Sequence, residues 1–125
     1  MSKPYLEHVN IGVNDPQKTA ALLGELFGWA VRWEGETNSG APAVHVGTEA
    51  CYISLFATGS AWTHSNTRYT TRGGLNHIGI VVEDLDAAEA RIRAAGFTPH
   101  HTADYEPGRR LYFYDGDDVE YEVVS

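Results

Sequence analysis

Basic residues are scarce in this 125-residue chain: nine Lys and Arg stand against 17 Asp and Glu, a formal charge of -8. Binding a phosphate backbone takes a basic face, and so few cations spread along the chain argue against a nucleic-acid partner. Cysteine is scarcer still. Cys51 stands alone, so no intramolecular disulfide can form, which fits a reducing compartment. Its place in the apolar run 50–56 reads as a strand interior, where the thiol is a small buried hydrophobe. No run approaches the ~20 apolar residues needed to cross a bilayer. The opening Met-Ser-Lys-Pro leads into no apolar signal segment, and a cytoplasmic protein without a membrane partner is expected.

What is present is ordinary in composition and unusual in arrangement. The chain is 42% hydrophobic and 21% charged with 13 Gly and 5 Pro, the profile of one folded domain. The stretch LNHIGIVVEDLDAAEARIRAAGF, residues 75–97, repeats the earlier LEHVNIGVNDPQKTAALLGELFGW. At an offset of 69 residues His8 falls on His77, Ile11 on Ile80, Val13 on Val82 and Asp15 on Asp84. Each copy reads strand, turn, helix, glycine, aromatic, a supersecondary unit too small to bury its own apolar face.

In the first copy, Val9, Ile11 and Val13 alternate with His8, Asn10 and Gly12 along a strand over 5–13. Asp15-Pro16 reads as the N-cap and first residue of a helix reaching about Phe27, whose Leu22, Leu23, Leu26 and Phe27 form the stripe that covers the strand. Gly28 supplies its left-handed end. Three strands follow, 29–33, 43–46 and 50–56, the last with Tyr52, Ser54 and Phe56 on one side. After a polar linker over 57–74 the plan recurs. A strand over 75–82 sets His77 and Gly79 opposite Ile78, Ile80 and Val82, and Asp84 caps a helix with Ala88, Ile92 and Ala95 inward. Strands over 98–102, 109–114 and 119–124 complete it. The expected fold is α+β: two βαβββ modules, about 5–56 and 75–125, in one domain of 1–125.

Parity puts His8, His77 and Glu122 each on the strand face that no helix covers. If the two modules form one curved mixed sheet with its helices on the convex side, that face lines a cup. Two imidazoles and a carboxylate there would make a facial set with open positions, suited to Fe, Mn, Ni, Co or Zn rather than to a closed structural site.

These residues carry a resemblance that covers nearly the whole chain. His8 leading into Asn14-Asp15-Pro16, His77 in LNHIGIVVEDLDAA, and the run 114–123 (YDGDDVEYEV) resemble the vicinal oxygen chelate superfamily, which includes glyoxalases, bleomycin-resistance proteins and extradiol dioxygenases. The last run departs from the family's aromatic-Asp-Pro-Asp-Gly-Asn turn, with Gly116 in place of Pro and Asp118 in place of Gly. The resemblance implies metal ligands at His8, Ser54, His77 and Glu122, of which Ser54 is a poor ligand for a divalent ion. The other three are similar to the set of extradiol dioxygenases and fosfomycin-resistance transferases.

The resemblance implies a divalent-metal enzyme acting on a small oxygenated substrate by lyase, isomerase, transferase or dioxygenase chemistry. Arg110 is then a candidate clamp for a carboxylate or phosphate, and Tyr112 a donor to an oxyanion. Glu120 reads as a general base or as a rim carboxylate in water. His45 can point either way, and at most one of His100 and His101 can face the cup. Trp29, Trp33 and Trp62 are candidates to wall an apolar pocket. The rival reading is a metal-free protein that sequesters a drug, as antibiotic-binding members do. A homodimer is expected in either case.

Overall fold

The computed structural model describes residues 3–59, 67–105 and 108–125. The chain divides into two compact units, Met1–Ala61 and Trp62–Ser125. Trp62 lies outside the described residues.

The first unit holds β1 (His8–Val13), α1 (Pro16–Phe27), β2 (Ala30–Glu36), β3 (Pro42–Gly47) and β4 (Tyr52–Ala57). Its sheet runs β1-β4-β3-β2, with β1 parallel to β4 and the other pairs antiparallel. The start of α1 follows its sequence signal: Asp15 accepts from the backbone N–H of Gln17 and Lys18, and Pro16 takes the first turn, where no donor is needed. Gly28 ends the helix at φ 73°. Leu23 and Leu26 are buried against the sheet with Ile11, Val13, Val44, Val46, Ile53 and Leu55, each worth about 1.5–3 kcal/mol over exposure. The buried stripe of α1 is completed by Thr19 and Ala20, while Leu22 and Phe27 sit half-buried at its margins.

The second unit repeats the topology with β5 (Ile78–Val81), α2 (Leu85–Ala94), β6 (His101–Tyr105), β7 (Gly108–Tyr114) and β8 (Glu120–Val124), in the order β5-β8-β7-β6. Asp84 caps α2 through the Ala87 N–H. At its other end Gly96, at φ 98°, donates to Arg93 O, and Phe97 donates to Ile92 O. That paired closure satisfies carbonyls the helix would leave open. Leu85, Ala88 and Ile92 face the core with Leu111, Phe113, Tyr121 and Val123. Two bounds differ from the sequence reading at places that matter: β5 begins at Ile78, so His77 stands just before the strand, and β4 begins at Tyr52, so Cys51 ends the preceding turn and is exposed. The expectation of a buried thiol is therefore corrected. Thr48 N–H bonds Cys51 O at 2.9 Å, which closes the turn and turns Cys51 outward before pairing starts.

The turn between β7 and β8 is built on Asp115. Its Oδ1 accepts from the backbone N–H of Asp117 and Val119, and its Oδ2 from the Tyr121 hydroxyl at 2.9 Å. Asp118, at the position where the resembled turn has glycine, is held at φ 65°. Such a conformation costs an L-residue about 1 kcal/mol, and Arg68 offsets it by donating to Asp118 O at 2.5 Å.

Candidate metal centre

The register of β8 fixes the second unit's candidate residues. Tyr121 and Val123 are buried on the helix side, while Glu122 pairs with Gly79 of β5 and Tyr112 of β7 on the other face. His77, at the mouth of β5, brings Nε2 to 3.0 Å from Glu122 Oε1. The other carboxylate oxygen, Oε2, accepts from Arg110 Nη1 at 2.5 Å. Arg110 is itself buried, so its guanidinium fixes the plane of the Glu122 carboxylate.

The orientation of His77 has a local cause. Nδ1 lies 2.7 Å from Asn76 Oδ1, an atom that can only accept, so Nδ1 carries the proton. With Nδ1 on Asn76, the ring presents Nε2 to the Glu122 carboxylate. The first unit repeats the device: His8 Nδ1 lies 2.9 Å from Glu7 Oε1, which accepts from it and leaves Nε2 on the far side of the ring. Glu7 and Asn76 are themselves equivalent under the offset of 69. The sequence reading passed over this pair, although an acceptor side chain directly before each histidine was its visible signal. A bond from the far ring nitrogen to such an acceptor is how metal-binding imidazoles are usually oriented.

Beside His8 in the first unit, Ser54 is buried and its Oγ accepts from Asn10 Nδ2 at 3.2 Å. Glu7 also accepts from the Tyr52 hydroxyl; these two bonds hold its carboxyl below the ordinary carboxylate range, that to His8 contributing more. His45, left open in the sequence reading, points to the His8 face, its ring 4.6 Å from that of Tyr52. Its pKa is lowered by burial first, and then by the charges of His8 and Arg32. The structure brings His77 and Glu122 together, but among the described residues no three His, Cys, Asp or Glu side chains gather in reach of one ion.

Glu120 departs from one of its two expected readings. It is 2% exposed, not a rim carboxylate in water. Its partners come from the linker and from the approach to β6: the Tyr69 hydroxyl donates to Oε1, and His100 Nε2 lies 2.9 Å from Oε2. Tyr69 is 64% exposed as a residue, yet desolvation at its hydroxyl, then the bond to Glu120, raises that hydroxyl above its ordinary range. Arg68, 2% exposed, lies over the Tyr114 ring at 4.8 Å. His100 and His101 also correct the alternation argument. His101 pairs with Tyr112, and His100 stacks on Tyr114 at 4.3 Å, so both lie on the face of Glu120 and Glu122. His100 precedes β6 and bonds its N–H to Tyr112 O, so strand alternation does not apply to it. Tyr112 is half-buried between His77 and His101, with ring centroids at 5.9 and 5.5 Å.

Residues 7–113 match the family model described as Glyoxalase/Bleomycin resistance protein/Dioxygenase superfamily. The chain belongs to that superfamily. A solved domain of this kind from Frankia sp. EAN1pec is 25% identical, with a TM-score of 0.81 over 98% of this chain and 92% of that one. The genomically encoded fosfomycin resistance protein FosX from Listeria monocytogenes is 23% identical, with a TM-score of 0.75 over 98% and 94%. A mutant of it, solved in complex with Mn(II) and 1S,2S-dihydroxypropylphosphonic acid, is also 23% identical, with a TM-score of 0.74 over 98% and 93%. No curated protein matches the chain. In this superfamily member the expected α+β fold of two βαβββ modules is present, and among the described residues no helix is long and apolar enough to cross a membrane.

Proposed function

We propose that this superfamily member is a metal-dependent enzyme whose divalent ion is held by His8, His77 and Glu122. The observation that carries the reading is the pairing of His77 Nε2 with Glu122 Oε1 at 3.0 Å, on the sheet face that no helix covers, with Asn76 beside the other ring nitrogen. The set of two imidazoles and a carboxylate suits Mn, Fe, Co, Ni or Zn. Glu7 and Asn76 orient the two histidines, and Arg110 orients Glu122. The buried Ser54 adds a neutral hydroxyl, which leaves positions of the ion open to substrate oxygens. A bound ion would act as a Lewis acid on an oxygen of a small oxygenated substrate. Tyr112, whose ring centroid lies 5.9 Å from that of His77, would donate a hydrogen bond to such an oxygen. The Mn(II) complex of FosX supports the choice of metal class. Lyase, isomerase, transferase and dioxygenase chemistry all fit this arrangement. We take the working protein to be a cytoplasmic homodimer, which sedimentation of the purified chain checks.

Metal analysis of protein purified without chelator tests the reading. Near one ion per site is expected, together with a rise in melting temperature on adding Mn(II) that His77→Ala and Glu122→Gln abolish. Absence of metal after soaking would favour the rival, a metal-free small-molecule binder.

A further inference from the structure

The first unit carries a row of rings that the metal ligands alone do not explain. In the sheet order β2, β3, β4, β1 stand Trp33, His45, Tyr52 and His8, with centroid separations of 4.8, 4.6 and 4.9 Å. Strict alternation would send Arg32 and Trp33 to opposite faces of β2. The register slips between Val31 and Trp33, and the Arg32 guanidinium lies over the Tyr52 ring at 4.4 Å while the Trp33 indole tilts against His45. The slip therefore delivers a cation and an indole to the same face, as bulges beside binding sites do.

Gly35 completes the arrangement. A Cβ there would come within 2.3 Å of Trp33 Cζ2, so the indole lies along the strand over a residue with no side chain. Trp33 is still 46% exposed. Arg32 donates Nη1 to Thr48 O at 3.1 Å and forms no ion pair among the described residues. The tethered guanidinium lies over Tyr52, an inner ring of this partly exposed row, and its charge acts on Glu7, which Tyr52 and His8 also hold.

We propose that this row seats a planar aromatic acid, its ring against Trp33 and His45 and its carboxylate facing Arg32. The inference rests on reading the His8 face as the substrate face, and it assigns a substrate class to that site. The observations favour a flat ring over a compact tetrahedral anion. One guanidinium stands beside a row of four rings, and ring stacking and cation contact add where ligand and surface are both planar.

Salicylate is the probe, titrated into the full chain by tryptophan fluorescence and by calorimetry, first after chelation and then with Mn(II) present. Salicylate is expected to bind about tenfold more tightly than cyclohexanecarboxylate or methylphosphonate. Arg32→Gln and Trp33→Leu, both at exposed positions, should each weaken it by about five- to tenfold. Gly35→Ala should weaken it with an unchanged far-UV spectrum, because the added methyl displaces the indole. Equal or tighter methylphosphonate binding, failure of salicylate to bind, or indifference to both Arg32→Gln and Trp33→Leu would overturn the proposal. Binding by chelated protein would uphold it even if no ion were ever found at His77. Metal uptake without salicylate binding would sink it alone.

Discussion

Asp115 shows how one side chain can hold a turn and respond to pH at once. Burial raises its pKa above the ordinary carboxylate value, and the bonds from Val119, Tyr121 and Asp117 oppose the rise only in part. Asp115→Ala would leave the buried Val119 N–H and Tyr121 hydroxyl without their acceptor, a loss of about 2–4 kcal/mol measured by denaturant unfolding. The pH dependence has a definite sign. With the folded pKa raised, the folded state binds more protons than the unfolded chain, so this group's contribution is largest below about pH 4 and declines as pH climbs through the folded value. Asp115→Asn removes the titration, and the stability of the native protein minus that of this variant should fall as pH rises across that window. Asn76 is the other residue whose role one substitution isolates. Asn76→Leu takes away the acceptor that sets the His77 proton, and Mn(II) affinity should drop about 10- to 100-fold with the fold intact, read by calorimetry.

Among the elements, β8 and the linker turn before β5 meet at the buried Glu120 carboxylate, with Tyr69 on its exposed side. Glu120, Tyr69 and His100 satisfy one another there, with Arg68 laid over Tyr114. Tyr69→Phe deletes a single hydroxyl from a buried carboxylate and should cost about 1–3 kcal/mol in thermal or chemical unfolding. Strand parity in the sequence was enough to put Glu120 and Glu122 on the face away from the helix, and Asp15-Pro16 and Gly28 bounded α1 closely. The helices were legible because caps act within a few residues. The burial of Glu120 was not legible, since it depends on contacts with residues about fifty positions earlier in a stretch that reads only as polar. The exposure of Cys51 and the shared face of Arg32 and Trp33 escaped for a related reason. Alternation assumes an unbroken ladder, and β4 starts late while β2 slips. His8, His77 and Glu122 could be placed on faces, whereas the proton position on each imidazole followed only once the Glu7 and Asn76 oxygens were located.

At the scale of the molecule, both units end their sheets on the strand that carries or follows a candidate histidine: β1 pairs only with β4, and β5 only with β8, among the described strands. Val81 on β5 is 84% exposed. In a unit cut away from the other, an edge of amides and carbonyls beside an apolar side chain would be a template for any other extended backbone. Fragments cut at the linker should thus be poor citizens in solution. A peptide of residues 75–125 produced by itself is expected to self-associate at micromolar concentration, visible as sedimentation well above its own mass, and Val81→Lys should disperse it. A fragment that stayed dispersed without that change would mean the flank is too short or too twisted to recruit a neighbour.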